Sequence, residues 1–221
     1  MLRFDLHVHS DHSPDGHSTV EEILRAAQRK GLDGVAITDH DTTSGAVRAL
    51  EVRDRVAPGL LVIPGQEIST KAGHLIVLGL TQELPPGQPV RDTIAAAHRL
   101  GGTVVVPHPD QRTRHGMRIP PGADAVEVYN SRYILGVHNR MTTRKAGKRK
   151  LSAVAGSDAH VASMVGQAIT EVDAPKDVAA VLRAIREGRT RIVVKKTPLH
   201  VYMSQLTSGW ARRAKSIISK L

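Results

Sequence analysis

Leu2-Arg3-Phe4-Asp5-Leu6-His7-Val8-His9 opens the chain with apolar and polar residues in alternation. That is the pattern of a β-strand, in which residues two apart leave the same face about 7 Å from each other. His7 and His9 therefore share a face and can close on one ion. Two imidazoles leave a divalent cation short of ligands, so the pair carries weight only if other segments complete it. The chain offers Thr38-Asp39-His40-Asp41, Gly65-Gln66-Glu67, His74, Pro107-His108-Pro109 and Ser157-Asp158-Ala159-His160.

The elements that follow set where those segments lie. Ser18-Thr19-Val20-Glu21 has the form of a capping box, and Val20, Ile23, Leu24 and Ala27 continue at helical spacing as far as Lys30-Gly31. Residues 34–38 (GVAIT) read as a short strand and residues 45–56 as a helix. Strands are expected at 60–64, 74–80, 103–106, 125–129, 152–155 and 192–194, and helices at 90–100 and 175–187. This alternation predicts an α/β fold with a parallel sheet. About seven or eight strands in one domain point to a closed β/α barrel, with an open doubly wound sheet as the alternative. Asp39-His40, Glu67, His108 and Asp158-Ala159-His160 all fall just past the C-terminal ends of predicted strands. A β/α barrel builds its active site there.

Composition narrows the chemistry. The 221 residues suffice for one buried core, and no Pro/Gly/Ser-rich linker divides the first 195, so residues 1–195 are expected to form one domain, followed by a segment at 196–221. With no cysteine, thiolate metal sites and disulfides are excluded, leaving nitrogen and oxygen ligands from His, Asp and Glu. No run of 18 apolar residues occurs, and a soluble cytoplasmic protein is the expectation. The net charge of +10 attracts phosphates, nucleic acids or anionic membranes. Aromatics make up 2% of residues, too few for base-stacking platforms, so any RNA contact would run through phosphates.

Asp5-x-His7-x-His9, Ser13-Pro14-Asp15-Gly16, Thr38-Asp39-His40-Asp41, Gly65-x-Glu67, Gly73-His74, His108-Pro109 and Ser157-Asp158-Ala159-His160 occur in an order that resembles the PHP family, named for polymerase and histidinol phosphatase. The resemblance runs from about Arg3 to Val194 and includes Glu127-Val128-Tyr129-Asn130-Ser131-Arg132. It implies a distorted, seven-stranded β/α (TIM-like) barrel with up to three divalent ions at its mouth. Carried over, His7, His9 and Asp158 would hold one ion, Glu67 would bridge it to a second held by His74 and His108, and Asp15, His40 and His160 would hold a third. The family often has His where this chain has Asp15. The ions would be Mn, Zn or Fe, which His, Asp and Glu suit alike. Glu67, Asp158 and His160 are the residues expected to carry the chemistry.

The activity implied is metal-dependent hydrolysis of a phosphomonoester or short phosphodiester, the expected substrate being a nucleotide or the 5′ end of RNA. A histidinol-phosphate-type phosphatase and a noncatalytic RNA-binding barrel are the alternatives. Amide hydrolysis on a related barrel also begins with His-x-His but is expected to bridge its ions with a lysine, where this chain has Glu67. Asp5, Asp39 and Asp41 are expected to accept the distal N–H of ligand imidazoles. Arg112 and Arg132 are candidates to grip a substrate phosphate, with Arg114 and His115 ranked behind them. His12, His17, His98, His138 and His200 read as structural. The basic stretch Arg140, Arg144, Lys145, Lys148, Arg149 and Lys150 reads as a solvated helix face. Leu206, Trp210, Ala214, Ile217 and Leu221, with Arg212, Arg213, Lys215 and Lys220 beside them, read as a basic amphipathic helix packed on the barrel.

Overall fold

A computed structural model describes residues 1–111, 115–131, 142, 144, 146, 147 and 151–194. The opening alternation forms β1 (Leu2–Val8). The next strands are β2 (Gly34–Ile37), β3 (Leu61–Thr70), β4 (Gly73–Leu78) and β5 (Thr103–Val106), then β6 (Ala125–Asn130), β7 (Ser152–Gly156), β8 (Ala168–Val172) and β9 (Thr190–Val194). The helices described are α1 (Val20–Arg29), α2 (Ser44–Val56), α3 (Val90–Arg99) and α4 (Val178–Arg186).

Among the described residues nine strands belong to one sheet, in the order β7-β6-β5-β4-β3-β2-β1-β8-β9. The barrel is as expected, but its strands number nine where the resemblance implies seven, and not all of them are parallel. β4 is antiparallel to β3 and β5, and β8 is antiparallel to β1 and β9. β4 follows β3 through a tight turn at residues 71 and 72, whereas α3 lies between β4 and β5 and α4 between β8 and β9, so a helix in the connection does not by itself make the next strand parallel. The sheet curls into a nearly closed barrel. At its seam, side chains replace a strand ladder: the Ala155 N–H donates to Thr170 Oγ1 at 2.8 Å, and Thr170 and Thr190 hydroxyls donate to Ala155 and Ala153 carbonyls at 2.9 and 2.8 Å. Past the end of β7, the Ser157 N–H donates to Asp5 Oδ1 at 2.9 Å and Val8 bridges Ala159.

The core divides in three. Val20, Ile23, Leu24 and Ala27 of α1, with Ala46, Ala49 and Val52 of α2, cover the outer side of β1 to β3. Ile94 and Ala97 of α3 lie with Val104, Val106, Val126 and Leu75. The third cluster takes residues from each of β1 to β8, among them Phe4, Ile63, Ile76, Val105 and Val154, together with Val181 and Ile185 of α4. A cluster fed by every one of these strands is the barrel's filling, and α4 plugs it. Each such fully buried Ile or Phe stabilises the fold by roughly 1.5–3 kcal/mol.

The cap of α1 sits one residue later than the sequence suggests. Thr19 is the N-cap and Glu22 the reciprocating carboxylate, while Ser18 Oγ accepts the Ala162 N–H at 2.9 Å and so joins the helix start to the β7–β8 connection.

Candidate metal centre

The mouth of the barrel is built from segments far apart in sequence. β1 has a register shift between Asp5 and Val8. Phe4 and Leu6 lie in the filling and Val8 lies under α1 and α2, while His7 and His9, both buried, come together with their Nε2 atoms 3.0 Å apart. β3 explains Glu67. It was expected just past a strand end, whereas it lies inside β3, which is longer than predicted because it pairs with β2 over residues 61–64 and with β4 over 65–70. Its second half thus overshoots β2 and lifts Glu67 to the mouth, where it bridges His40. His74 reaches the same level from the start of β4, opposite Ser69, because β4 runs antiparallel.

Glu67, 1% exposed, is ringed by five imidazoles. Its Oε2 lies 3.1 Å from His7 Nε2, 3.1 Å from His9 Nε2 and 3.6 Å from His40 Nδ1. Oε1 lies 2.9 Å from His74 Nδ1 and 3.2 Å from His108 Nε2. Asp158 Oδ1 stands 3.8 Å from His7 Nε2 and 3.6 Å from His9 Nε2. Farther out, Asp15 Oδ2 lies 2.7 Å from His160 Nε2 and 3.6 Å from His40 Nε2.

Three groups among the described residues could hold a cation: His7, His9 and Asp158; His9, Asp15, His40 and His160; and His40, Glu67 and His74. The first is the set expected. The second adds His9 to the expected trio, and the third has His40 where His108 was expected, with His108 still at Glu67. Nitrogen and oxygen donors that share an ion at bonds of about 2.1 Å stand roughly 3.4 Å apart in a tetrahedral arrangement. The His7, His9 and Asp158 separations of 3.0 to 3.8 Å fit that spacing.

The electrostatics describe a cluster waiting to exchange protons for cations. Burial disfavours a charged His7, but Glu127, Glu67 and Asp158 outweigh it and hold its pKa well above the usual imidazole value. His9, buried beside it, is pushed down to about 4. Burial would lower His40 too, yet Asp15 and Glu67 raise it to about 9. Burial likewise opposes the charge on Glu67, and the surrounding histidines keep its carboxyl well below the ordinary range.

The backbone is strained where these groups stand. His108 and Asp158 have positive φ (28° and 51°), as do Asp41, Asp110 and His115 at the rim. Such conformations cost about 1–3 kcal/mol each for residues other than glycine and cluster at functional sites.

Asp5, Asp39 and Asp41 depart from expectation. They accept backbone N–H groups and a hydroxyl instead of imidazole protons. Asp5 takes the amides of Ser157 at 2.9 Å and Gly166 at 2.7 Å, Asp39 takes the Ser10 amide and hydroxyl, and Asp41 takes the Ser69 amide at 2.7 Å. They tie loops to strand ends, where unpaired amides accumulate. Burial raises Asp5 to about 6 despite those bonds. The imidazole role falls instead to Glu127, whose Oε1 lies 3.0 Å from His7 Nδ1. A lone glutamate inside the apolar strand Ala125–Asn130 was the available signal.

A pocket of about 180 Å³ opens over this cluster, lined by Asp15, His40, Glu67, His74, His108, His115, Asp158 and His160. His115, ranked low among the loop candidates, lines this pocket: its ring centroid is 5.0 Å from that of His74. Arg112, Arg114, Arg132, most of the 140–150 basic stretch and the segment 196–221 lie outside the described residues. His98 pairs with Asp124 at 3.0 Å and His12 with Ser44 at 2.8 Å, both away from the cluster, as expected of structural histidines.

A barrel whose mouth gathers histidines and carboxylates around a buried glutamate is the arrangement of a metal-dependent hydrolase. The PHP domain model matches residues 5–106 and the PHP-associated model residues 136–190. An uncharacterised protein of Methanocaldococcus jannaschii is 32% identical over 160 residues, 66% of this chain and 92% of that protein. The phosphoribosyl 1,2-cyclic phosphate 1,2-diphosphodiesterase of Eggerthella lenta is 38% identical over 87 residues, 37% of this chain and 32% of that enzyme. Among solved structures, a two-domain protein from Bacteroides vulgatus containing a predicted PHP-like metal-dependent phosphoesterase superposes with a TM-score of 0.75 at 20% identity, covering 87% of this chain and 64% of that one. The chain belongs to the PHP family, and it is a metal-dependent phosphoesterase. No helix among the described residues is long and apolar enough to cross a membrane.

Proposed function

We propose that the chain hydrolyses a phosphomonoester or short phosphodiester of a nucleotide or RNA 5′ end, using up to three divalent ions, Mn, Zn or Fe, held by His7, His9, Asp15, His40, Glu67, His74, His108, Asp158 and His160. The observation that carries this reading is Glu67, buried among five imidazoles at 2.9 to 3.6 Å. When bound, such ions acidify water toward neutral pH and offset charge on the phosphoryl and leaving oxygens. The chain's own residues do the rest. Glu67 spreads one negative charge over two neighbouring donor groups and holds them together. His7, His9 and His40 would offer ring nitrogens to the cations, and Asp158 and Asp15 would offer carboxylate oxygens.

Pocket size supports a divided substrate. About 180 Å³ is below the roughly 300–1,000 Å³ of ordinary small-molecule sites, so this pocket would receive the phosphoryl group. A second pocket of about 430 Å³, lined by the β3–β4 turn residues Ser69 to Gly73 and sharing His74 and His115 with the first, would take the organic part. The +10 charge favours a polyanion over a single small phosphate. The test is a panel of phosphorylated metabolites, mononucleotides and 5′-phosphorylated oligonucleotides, each assayed with Mn, Zn and Mg. Nucleotides or oligonucleotides should lead in kcat/KM, and a panel led by histidinol phosphate would replace the nucleotide reading.

A further inference from the structure

We propose that Glu127, acting with Asn130, is a positioning residue that presets the His7–His9–Asp158 group for its cation without touching the ion. The inference rests on the metal-binding reading of that group. Glu127 is 2% exposed and Asn130 is fully buried. The two oxygens of Glu127 are spent on different partners. Oε1 faces His7 Nδ1 at 3.0 Å, while Oε2 accepts the backbone N–H of His108 at 3.0 Å and the side-chain amide of Asn130 at 2.9 Å. That amide also reaches Asp158 Oδ2 at 3.3 Å. One carboxylate thus connects three donor residues that arrive from three separate segments.

The chemistry of each contact favours a loaded site. A carboxylate can only accept, so the proton of His7 is fixed on Nδ1 and its Nε2 is aimed at His9 and Glu67 as the ligating atom. Asn130 occupies Asp158 Oδ2 and leaves Oδ1 turned toward the two Nε2 atoms. The bond to the His108 amide holds that residue at its unusual φ of 28°. By contrast, Nδ1 of His9 and Nδ1 of His108 have no hydrogen-bond partner, although both are buried. Of the buried imidazoles touching Glu67, His7 is therefore the one whose tautomer is dictated from behind. The arrangement also has no slack: a Cβ on Gly156 would fall 2.4 Å from His7 Cβ and 2.6 Å from Glu127 Oε1.

The experiment compares wild type, Glu127→Gln and Asn130→Ala by titrating chelated protein with Zn and with Mn against a competing chelator, while following the melting temperature of the metal-free form. Gln keeps the volume but must present its NH₂ either to His7 Nδ1–H or to the His108 N–H, so one donor faces another donor. One binding step of Glu127→Gln should weaken by about 10–100-fold, the usual cost of losing a carboxylate behind a ligating histidine. Asn130→Ala, which spares the His7 contact, should weaken the same step less. Unchanged affinities in Glu127→Gln would overturn the proposal, as would an equal loss at every step accompanied by a lower melting temperature, which marks a packing role. If Glu127→Gln does not fold, Asn130→Ala carries the same test. A wild-type protein that binds no divalent cation would instead sink the metal reading on which the proposal rests.

Discussion

Replacing Glu67 by Gln is the perturbation whose outcome is most fully determined by the geometry. The volume is unchanged, the negative charge is gone, and one of the two oxygens becomes an NH₂ group. In wild type Oε2 stands 3.1 Å from both His7 Nε2 and His9 Nε2, and Oε1 2.9 Å from His74 Nδ1. Whichever way the amide turns, its NH₂ meets nitrogens that must serve as lone-pair donors to a cation. Removing one partner from a buried, hydrogen-bonded charge set costs roughly 3–5 kcal/mol. At 1.4 kcal/mol per decade this is a 100- to 4,000-fold weakening of cation binding. His74→Ala should lose about tenfold, because its side chain is 12% exposed and water can enter the vacated position. The assay is competition with a graded series of chelators, run beside kcat/KM at saturating metal. The acid side gives a second check. The folded pKa of Glu67 is depressed below its ordinary 4.5, so its stabilisation is present above about pH 4.5 and is lost as pH falls through the folded value. The stability gap between wild type and Glu67→Gln should accordingly close on acidification of the metal-free proteins. Full metal content and near wild-type turnover in Glu67→Gln would refute the bridging role.

Asp15→Ala should weaken one binding step most, measured by the same titration, because Asp15 contacts His160 and His40, with a smaller effect on the groups that share His40 and His9. Loading the metal-free protein at neutral pH should release protons from His7 and His40, whose pKa values are both raised, that of His40 to about 9; affinity should rise with pH across that range, and calorimetry in buffers of different ionisation enthalpy counts the protons. Gly156→Ala should force His7 and Glu127 apart, lowering both the melting temperature and metal affinity, whereas Gly59→Ala, with open space around its Cβ, should leave metal affinity untouched.

Most of the donor set was legible because it is carried by short motifs at strand ends, and a strand-end histidine or aspartate has few structural reasons to be there. The strand count was not. Ala168-Ile169-Thr170-Glu171-Val172 is too short and too evenly buried to separate strand from loop in sequence, and the antiparallel β3–β4 pair reads as two strands of a parallel sheet. That pair also explains why Glu67 looked like a residue beyond its strand. Asp5, Asp39 and Asp41 were misread for a different reason: adjacency to a histidine says nothing about where a carboxylate points, and at the sheet's end backbone amides compete for it. Glu127 stands 120 residues from His7, and the contact between them exists because β6, paired with β7, comes within reach of β1 where β7 and β1 meet.

The central claim is tested most directly by measuring metal content and phosphoester hydrolysis on one preparation, before and after chelation and again after adding back Mn or Zn. The account predicts up to three divalent ions per chain, one for each group of donors, hydrolysis abolished by the chelator, and its recovery with the metal. Less than one ion per chain after reconstitution, or hydrolysis indifferent to the chelator, would contradict it.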